Sequence, residues 1–147
     1  MSLAATRVLI IDDNDAVRRI VRSVLEGLVD GIHEADGGLA GIRAWKTLKP
    51  NLVILDFEMP QVNGVVVTRF IREQEAGSGK RTAILMMTGH GDEEHVSAAR
   101  LAKVDGLIGK PLSVGSVLSK AEDALNRSER QFRSDQAQAD AQRLSGE

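Results

Sequence analysis

The chain has 147 residues, a formal net charge of −2 at pH 7 and no cysteine, which fits one domain with its own core and excludes a disulfide framework or a thiolate metal site. The near-neutral balance supplies no basic field for nucleic acid, and one tryptophan with three phenylalanines is too little for a base-stacking surface. No apolar run is long enough to span a bilayer and no signal-peptide pattern opens the chain, so we expect a cytoplasmic domain without membrane or direct nucleic-acid contact in this chain.

Arg7-Val8-Leu9-Ile10-Ile11 is an apolar run that reads as a buried strand and ends in Asp12-Asp13. Asn14 or Asp15 caps the following helix, whose Val17, Ile20, Val21, Val24, Leu25 and Leu28 share one face, with Arg18, Arg19, Arg22 and Glu26 turned outward. Asp30-Gly31 is expected to close that helix. A short strand follows at Ile32–Ala35, then a helix from about Leu39 to Leu48, stopped by Lys49-Pro50.

Leu52-Val53-Ile54-Leu55 is the most apolar strand, buried on both faces by its pattern, and it stops at Asp56. Pro60 and Asn63-Gly64 turn the chain into a helix from about Val65 to Gln74 that is expected to bury Val66, Val67, Phe70 and Ile71. After the loop Ala76–Lys80, Thr82–Met87 is the fourth strand, ending at Thr88-Gly89-His90-Gly91. A helix spans about Asp92 to Lys103, Leu107-Ile108-Gly109 is a brief fifth strand ending at Lys110-Pro111, and a last helix begins near Ser113 with Val114, Val117, Leu118, Ala121 and Leu125. From Asn126 onward the composition turns polar. Leu118, Leu125, Phe132 and Ala139 fall seven apart among polar companions, which favours a solvated helical tail over a coiled-coil seam. The expected division is a domain over 1–126 and a polar C-terminal tail or linker over 127–147.

Strand and helix alternate five times with short connections, which implies an α/β fold with a parallel sheet covered by helices on both faces. Parallel strands bring their carboxyl ends to one edge, so Asp12, Asp13, Asp56, Thr88 and Lys110 converge there from four strands. Clustered carboxylates resist ionising together, and a hard divalent cation such as Mg²⁺ relieves that repulsion. A carboxylate with a free oxygen beside such a metal is poised to attack a phosphoryl group, with Thr88 and Lys110 placed to meet its oxygens.

Taken together, Asp12-Asp13, Asp56, Thr88 and Lys110-Pro111, each ending its own strand, resemble the receiver domain of two-component response regulators over roughly Arg7 to Leu125. The resemblance implies a flavodoxin-like (βα)5 fold with strand order 2-1-3-4-5. It implies that Asp56 takes a phosphoryl group from a sensor histidine kinase or histidine phosphotransfer protein. It makes Asp13, Asp56 and the backbone carbonyl of Glu58 the Mg²⁺ ligands, with Asp12 acting through a metal-bound water. Thr88 matches the switch hydroxyl and Lys110 the phosphate-binding lysine. Glu58 and His90 occupy the positions that tune phosphate lifetime, and Leu107 stands where the family usually has Phe or Tyr, so the usual aromatic marker of switching is absent. Output is expected through a downstream protein that contacts helix 92–103, strand 107–109 and the helix from 113. Such a domain is a phosphoacceptor rather than an enzyme. His33 and His95 read as surface residues, and the histidine spacing gives no zinc site.

Three other readings fit less well. A haloacid-dehalogenase-like phosphatase also uses a strand-end aspartate, but there the nucleophile strand comes first and the acidic pair late. A receiver-like binding module that works without phosphorylation has no need to keep a costly cluster of like charges. A nucleotide-binding flavodoxin-like protein would carry a glycine-rich loop where Asp12-Asp13 stands.

Overall fold

The computed structural model describes residues 2–89 and 91–146. After a short 3₁₀ turn at Leu3–Ala5, the elements run β1 (Arg7–Ile11), α1 (Asp15–Leu25), β2 (Gly31–Ala35), α2 (Gly38–Leu48), β3 (Leu52–Asp56) and α3 (Gly64–Glu75). They continue with β4 (Ala83–Thr88), α4 (Glu93–Leu101), β5 (Gly106–Gly109) and α5 (Val114–Ser145). The five strands form one parallel sheet in the order β2-β1-β3-β4-β5, the expected topology.

The alternation of side chains along each strand divides the core between two faces. Val8 and Ile10 of β1, Ile54 of β3 and Leu85 and Met87 of β4 pack against α1 and α5, through Val21, Leu25, Val117, Ala121 and Leu125. Leu9, Ile11, Val53, Leu55, Ile84 and Met86 face the other way, against Val67 and Ile71 of α3 and Ala99 of α4. β1, β3 and β4 are covered on both sides, which is why they read as unbroken apolar runs. Each fully buried Leu or Ile adds about 1.5–3 kcal/mol of burial.

Local signals set most element boundaries. The Asn14 side chain accepts from the Ala16 and Val17 amides, Asn63 from Val66, Asp92 from His95 and Ser113 from Ser116, so four helices start on a side-chain cap. Lys49 ends α2 in the left-handed region at φ 49°, just before Pro50. The end of α1 differs from expectation. The helix stops at Leu25 and the chain reverses through Gly27 at φ 81°, whereas Gly31 already opens β2.

Several side chains also lie elsewhere than the helical pattern suggested. Ile20 and Leu28 are about half exposed, as are Val66 of α3 and, more so, Val114 of α5. The sheet is narrow, so each helix rests on a stripe narrower than its full apolar arc, and the flanking residues stay wet. Arg18 is folded inward with its side chain 12% exposed, pairing with Asp15 and Glu34 and donating to the Asp12 carbonyl. α5 crosses residue 126 without a break and continues to Ser145, with Ser128 buried one turn beyond Ala124 and Leu125. Leu118 and Leu125 of the seven-residue stripe face the domain's own core, and Phe132 is half-buried.

At the amino-terminal end of the sheet a polar network ties α3 to β4 and the turn before β5. Arg72 reaches Glu75 and the Thr82 carbonyl at 2.8 Å, and Asp105 at 2.8 Å. Asp105 also takes Arg81 at 2.7 Å and the Ile84 amide at 2.8 Å. With Arg72 and Asp105 both nearly excluded from solvent, removing either partner would strand a buried charge.

Gly64 is where the backbone is most tightly constrained near the end of β3. A Cβ there would come within 2.4 Å of the Asp56 carbonyl oxygen, which has no freedom to move. We expect Gly64→Ala to destabilise the fold by roughly 1–3 kcal/mol through overpacking. Gly115→Ala, where nothing lies within 4 Å, should be neutral or stabilise by up to about 1 kcal/mol through helix propensity. Urea unfolding of the two variants checks this, and equal midpoints would show that the β3–α3 turn yields.

Candidate functional site

Because the strands are parallel, the residues that follow them gather at one edge. β3 carries Asp56 at its last position, paired in register with Met87 of β4, and Thr88 one step on pairs with Gly109 of β5. Asp12 follows β1 directly, and its Oδ1 accepts the Asn14 amide at 2.9 Å, so the turn that starts α1 also fixes this carboxylate. Arg18 holds the same turn from the other side through the Asp12 carbonyl. Its role was missed from sequence, although the Asp15–Arg18 spacing of three residues is the helical ion-pair signature that places it.

Asp12, Asp13 and Asp56 each bring a carboxylate oxygen to one point, all within 4.8 Å of one another. Asp12 and Asp56 are buried and Asp13 is exposed, so the cluster opens to solvent on the Asp13 side. Lys110 reaches over it, with Nζ 2.9 Å from Asp56 Oδ1 and 3.5 Å from Asp12 Oδ2. The Lys110 amide donates to the Thr88 carbonyl at 2.9 Å, which ties the end of β5 to the end of β4. The Lys110–Pro111 peptide bond is cis.

The charges in this pocket are under strain. Burial pushes the Asp56 carboxyl above the ordinary carboxylate range, Lys110 opposes the rise, and the neighbouring Asp13 and Glu58 charges add to it. Asp12 is raised for the same leading reason, burial, offset by the Asn14 amide and Lys110 and reinforced by Asp56 and Asp13. Lys110 is held above its usual value: burial works to lower it, but Asp56 and Asp12 outweigh burial. One lysine therefore faces three carboxylates. The donors are all oxygens, which is the set that a hard cation such as Mg²⁺ prefers.

The remaining expected site residues sit around this centre. Thr88 is buried at the end of β4. Glu58 is exposed, two residues past Asp56. Leu107 is half-buried in β5, opposite Met86, and packs on the core face that also carries α3 and α4. His90 lies outside the described residues.

His95 is not the plain surface residue expected. Its ring is 22% exposed, with Nδ1 2.6 Å from Asp92 and Nε2 3.4 Å from the Glu58 carboxylate. The ring also lies against Phe57, centroids 4.4 Å apart. The Asp92 hydrogen bond, helped by Glu58, raises its pKa. It thus bridges α4 to the loop after Asp56. Its three-residue offset from the Asp92 cap is visible in the sequence, but the meeting with Phe57 and Glu58 depends on how the sheet brings β3 beside β4.

Comparison with known proteins agrees with this geometry. The family description "Response regulator receiver domain" matches residues 8–122. The chain is 35% identical over 121 residues to the chemotaxis protein CheY of Halobacterium salinarum, covering 82% of this chain and 98% of that one. It is 31% identical over 122 residues to the KDP operon transcriptional regulatory protein KdpE of Escherichia coli, covering 83% of this chain but 52% of that longer protein. Among solved structures, a signal receiver domain from Mycobacterium tuberculosis superposes with a TM-score of 0.75 at 26% identity, covering 83% of this chain and 97% of that one. The span matched by the family runs from β1 into α5 and so takes in all five strands of the sheet. The chain belongs to the response regulator receiver domain family.

Proposed function

We propose that Asp56 is the phosphoacceptor of this receiver and that it takes its phosphoryl group from a phosphohistidine on a sensor histidine kinase or histidine phosphotransfer protein. The observation that carries this reading is the meeting of Asp12, Asp13 and Asp56 oxygens within 4.8 Å, beside a lysine that touches Asp56. Receivers use Mg²⁺ at their acidic pocket, and the oxygen donors here fit it. Asp13, Asp56 and the Glu58 backbone carbonyl would hold the cation, with Asp12 acting through a water. Bound there, it offsets the carboxylate repulsion and the charge of the arriving phosphoryl group.

The chain's own residues then do the following. An Asp56 oxygen bonds to phosphorus while the bond from phosphorus to the donor imidazole nitrogen breaks, and that nitrogen takes up a proton as it leaves. Lys110, already 2.9 Å from Asp56, neutralises the phosphoryl oxygens as a point charge, and the Thr88 hydroxyl donates to one of them. Glu58 and His90, at the sequence positions that tune phosphate lifetime in the family, set how long the acyl phosphate survives. The domain acts as an acceptor and regulator, not as a turnover enzyme, in the cytoplasm. Residues 1–126 form the receiver unit, and 127–147 are a polar C-terminal tail or linker, helical as far as Ser145.

Output runs through protein contact. A phosphoryl group on Asp56 rewards each donor that reaches it, so it draws Thr88 inward and with it the loop that leads to α4. His95, lodged between Asp92 and Glu58, gives α4 a second link to the loop after Asp56. The downstream target then meets α4, β5 and the start of α5, the surface of residues 92–103, 107–109 and onward from 113. With Leu107 in the place of a ring, the change is a shift of loop and helix.

Incubation with acetyl phosphate and Mg²⁺ should add one phosphoryl group by intact mass. The gain should vanish in Asp56→Asn and without Mg²⁺, and labelling that persists in either case sinks the assignment. In Glu58→Gln the label should decay at a rate several-fold different, on the order of 1 kcal/mol of barrier.

The raised pKa values of Asp12 and Asp56 carry a sign for stability. A buried carboxyl whose folded pKa lies above its unfolded value binds more protons folded than unfolded. Its charge therefore costs stability above the folded pKa, and the cost is relieved as pH falls through it. Asp12→Asn should accordingly raise the melting temperature by a few degrees at neutral pH in Mg²⁺-free buffer. Added Mg²⁺ should stabilise the wild type by about 1.4 kcal/mol at tenfold excess over Kd, and this variant by less. A lower melting temperature for the variant at pH 7 without metal would show that its bonds to Asn14 and Lys110 outweigh the cost of its charge.

With a beryllofluoride mimic on Asp56, amide exchange should slow or quicken along α4 and β5. Changes confined to α2 would place the output elsewhere.

A further inference from the structure

Two clefts lie at the amino-terminal edge of the sheet, away from Asp56. One, of about 630 Å³, is walled by Trp45 at the end of α2, by Thr82 and Ala83 at the start of β4, and by Leu125, Ser128 and Phe132 of α5. A second, of about 1340 Å³, lies between the α3–β4 loop, the end of α4 and the continuation of α5 to Ala139. Lys80, Arg81 and Phe132 line both, so the two are the ends of one furrow under the domain. Its outer wall exists because α5 goes on past the core; a helix that stopped at Leu125 would leave Trp45 facing open solvent.

The furrow's charge is one-sided. Of its acids, Glu75 is occupied by Arg72 and by the Thr82 amide and hydroxyl, and Asp105 by Arg72, Arg81 and the Ile84 amide. Asp135 accepts from Gln131, and Glu129 pairs with Arg133 at 3.1 Å. Lys80, Arg100, Lys103, Arg127 and Arg130 are exposed, and none has an ion pair among the described residues. Among the described residues these five cations therefore border one part of the channel, and the other part carries Trp45, Ala83, Leu125 and Phe132 with Arg7, Lys46 and Lys49 beside them. In a chain of net charge −2 this is a local field, held apart from the acids at the opposite edge.

We propose that this furrow docks an acidic segment of a partner polypeptide, with its carboxylates along the basic end and one apolar side chain seated between Trp45 and Phe132. The furrow is too long and open for a small anion, and an extended segment matches both its length and its division into a basic border and an apolar patch. The furrow lies at the opposite edge of the sheet from Asp56 and meets the output surface only at Arg100 and Lys103, so the proposal stands independently of the role of Asp56.

Trp45 is the chain's only tryptophan, which makes it the reporter. The full chain is titrated with a Glu- and Asp-rich peptide carrying one central leucine, with the same peptide lacking the leucine, and with oligouridylate of matched charge. We expect a saturable change in Trp45 emission that weakens with salt. Arg127→Glu/Arg130→Glu, both on the exposed helix, should lower the affinity roughly tenfold or more with circular dichroism unchanged. Phe132→Ala should weaken the leucine peptide only. No Trp45 response, or undiminished affinity in the double variant, overturns the proposal. Oligouridylate binding as tightly would make the furrow a general polyanion surface, and concentration-dependent association of the chain alone would make the occupant a second copy; either also overturns it.

Discussion

Everything at the carboxyl edge follows from one electrostatic constraint: Asp12, Asp13 and Asp56 share a pocket with a single lysine. Carboxylates held this close, two of them buried, are uncomfortable as anions, and burial is the leading cause in each raised pKa. The fold supplies partial relief through the Asn14 amide and Lys110. What remains is a standing demand for positive charge and for hydrogen-bond donors. A cation answers the first. A phosphoryl group gives Thr88 and Lys110 a stronger acceptor than a lone carboxylate.

That pocket can exist because the sheet beneath it does not bend to accommodate it. β1 and β3 are sealed on both faces, and Gly64 brings α3 so close to the Asp56 carbonyl that no side chain fits between them. At the far end the Arg72–Asp105–Arg81 network pins α3 and the turn before β5 to the start of β4. The end of β5 is attached to β4 by the Lys110 amide and the Thr88 carbonyl. The strand ends that carry the chemistry are thus rigid, and the loops beyond them are the parts left to move.

Where a feature depended on neighbours in sequence, reading the chain was enough. The strand cores, a cap at Asn14 or Asp15, a helix start near Ser113 and the gathering of Asp12, Asp56, Thr88 and Lys110 at one edge need only period, cap chemistry and the rule that parallel strands end together. Misplaced features depended on the width of a contact. Val66 and Val114 belong to apolar arcs broader than the surface each helix covers, and nothing local says which edge of the arc stays wet. The close of α1 went to Gly27 and not Gly31 because β2 begins one residue early, a pairing decision made by β1. Arg18 and His95 look like surface side chains until the third dimension brings Asp12 and Glu58 beside them.

The position and length of α5 have a mechanical consequence. Its cap, Ser113, is three residues past Lys110, and the helix then runs 32 residues to Ser145. At 1.5 Å per residue it is about 48 Å long, of which the part beyond Phe132 is about 20 Å, so a tilt of about 5° where it leaves the domain would carry its tip through roughly 2 Å. The first turns are clamped to β4 and β5 through Val117, Ala121 and Leu125, while beyond Phe132 every described residue is exposed. Such a beam has its fulcrum against the sheet and a free arm beyond it. A tilt of the helix at the sheet would therefore be felt at the end of the arm, far from the pocket that Lys110 borders.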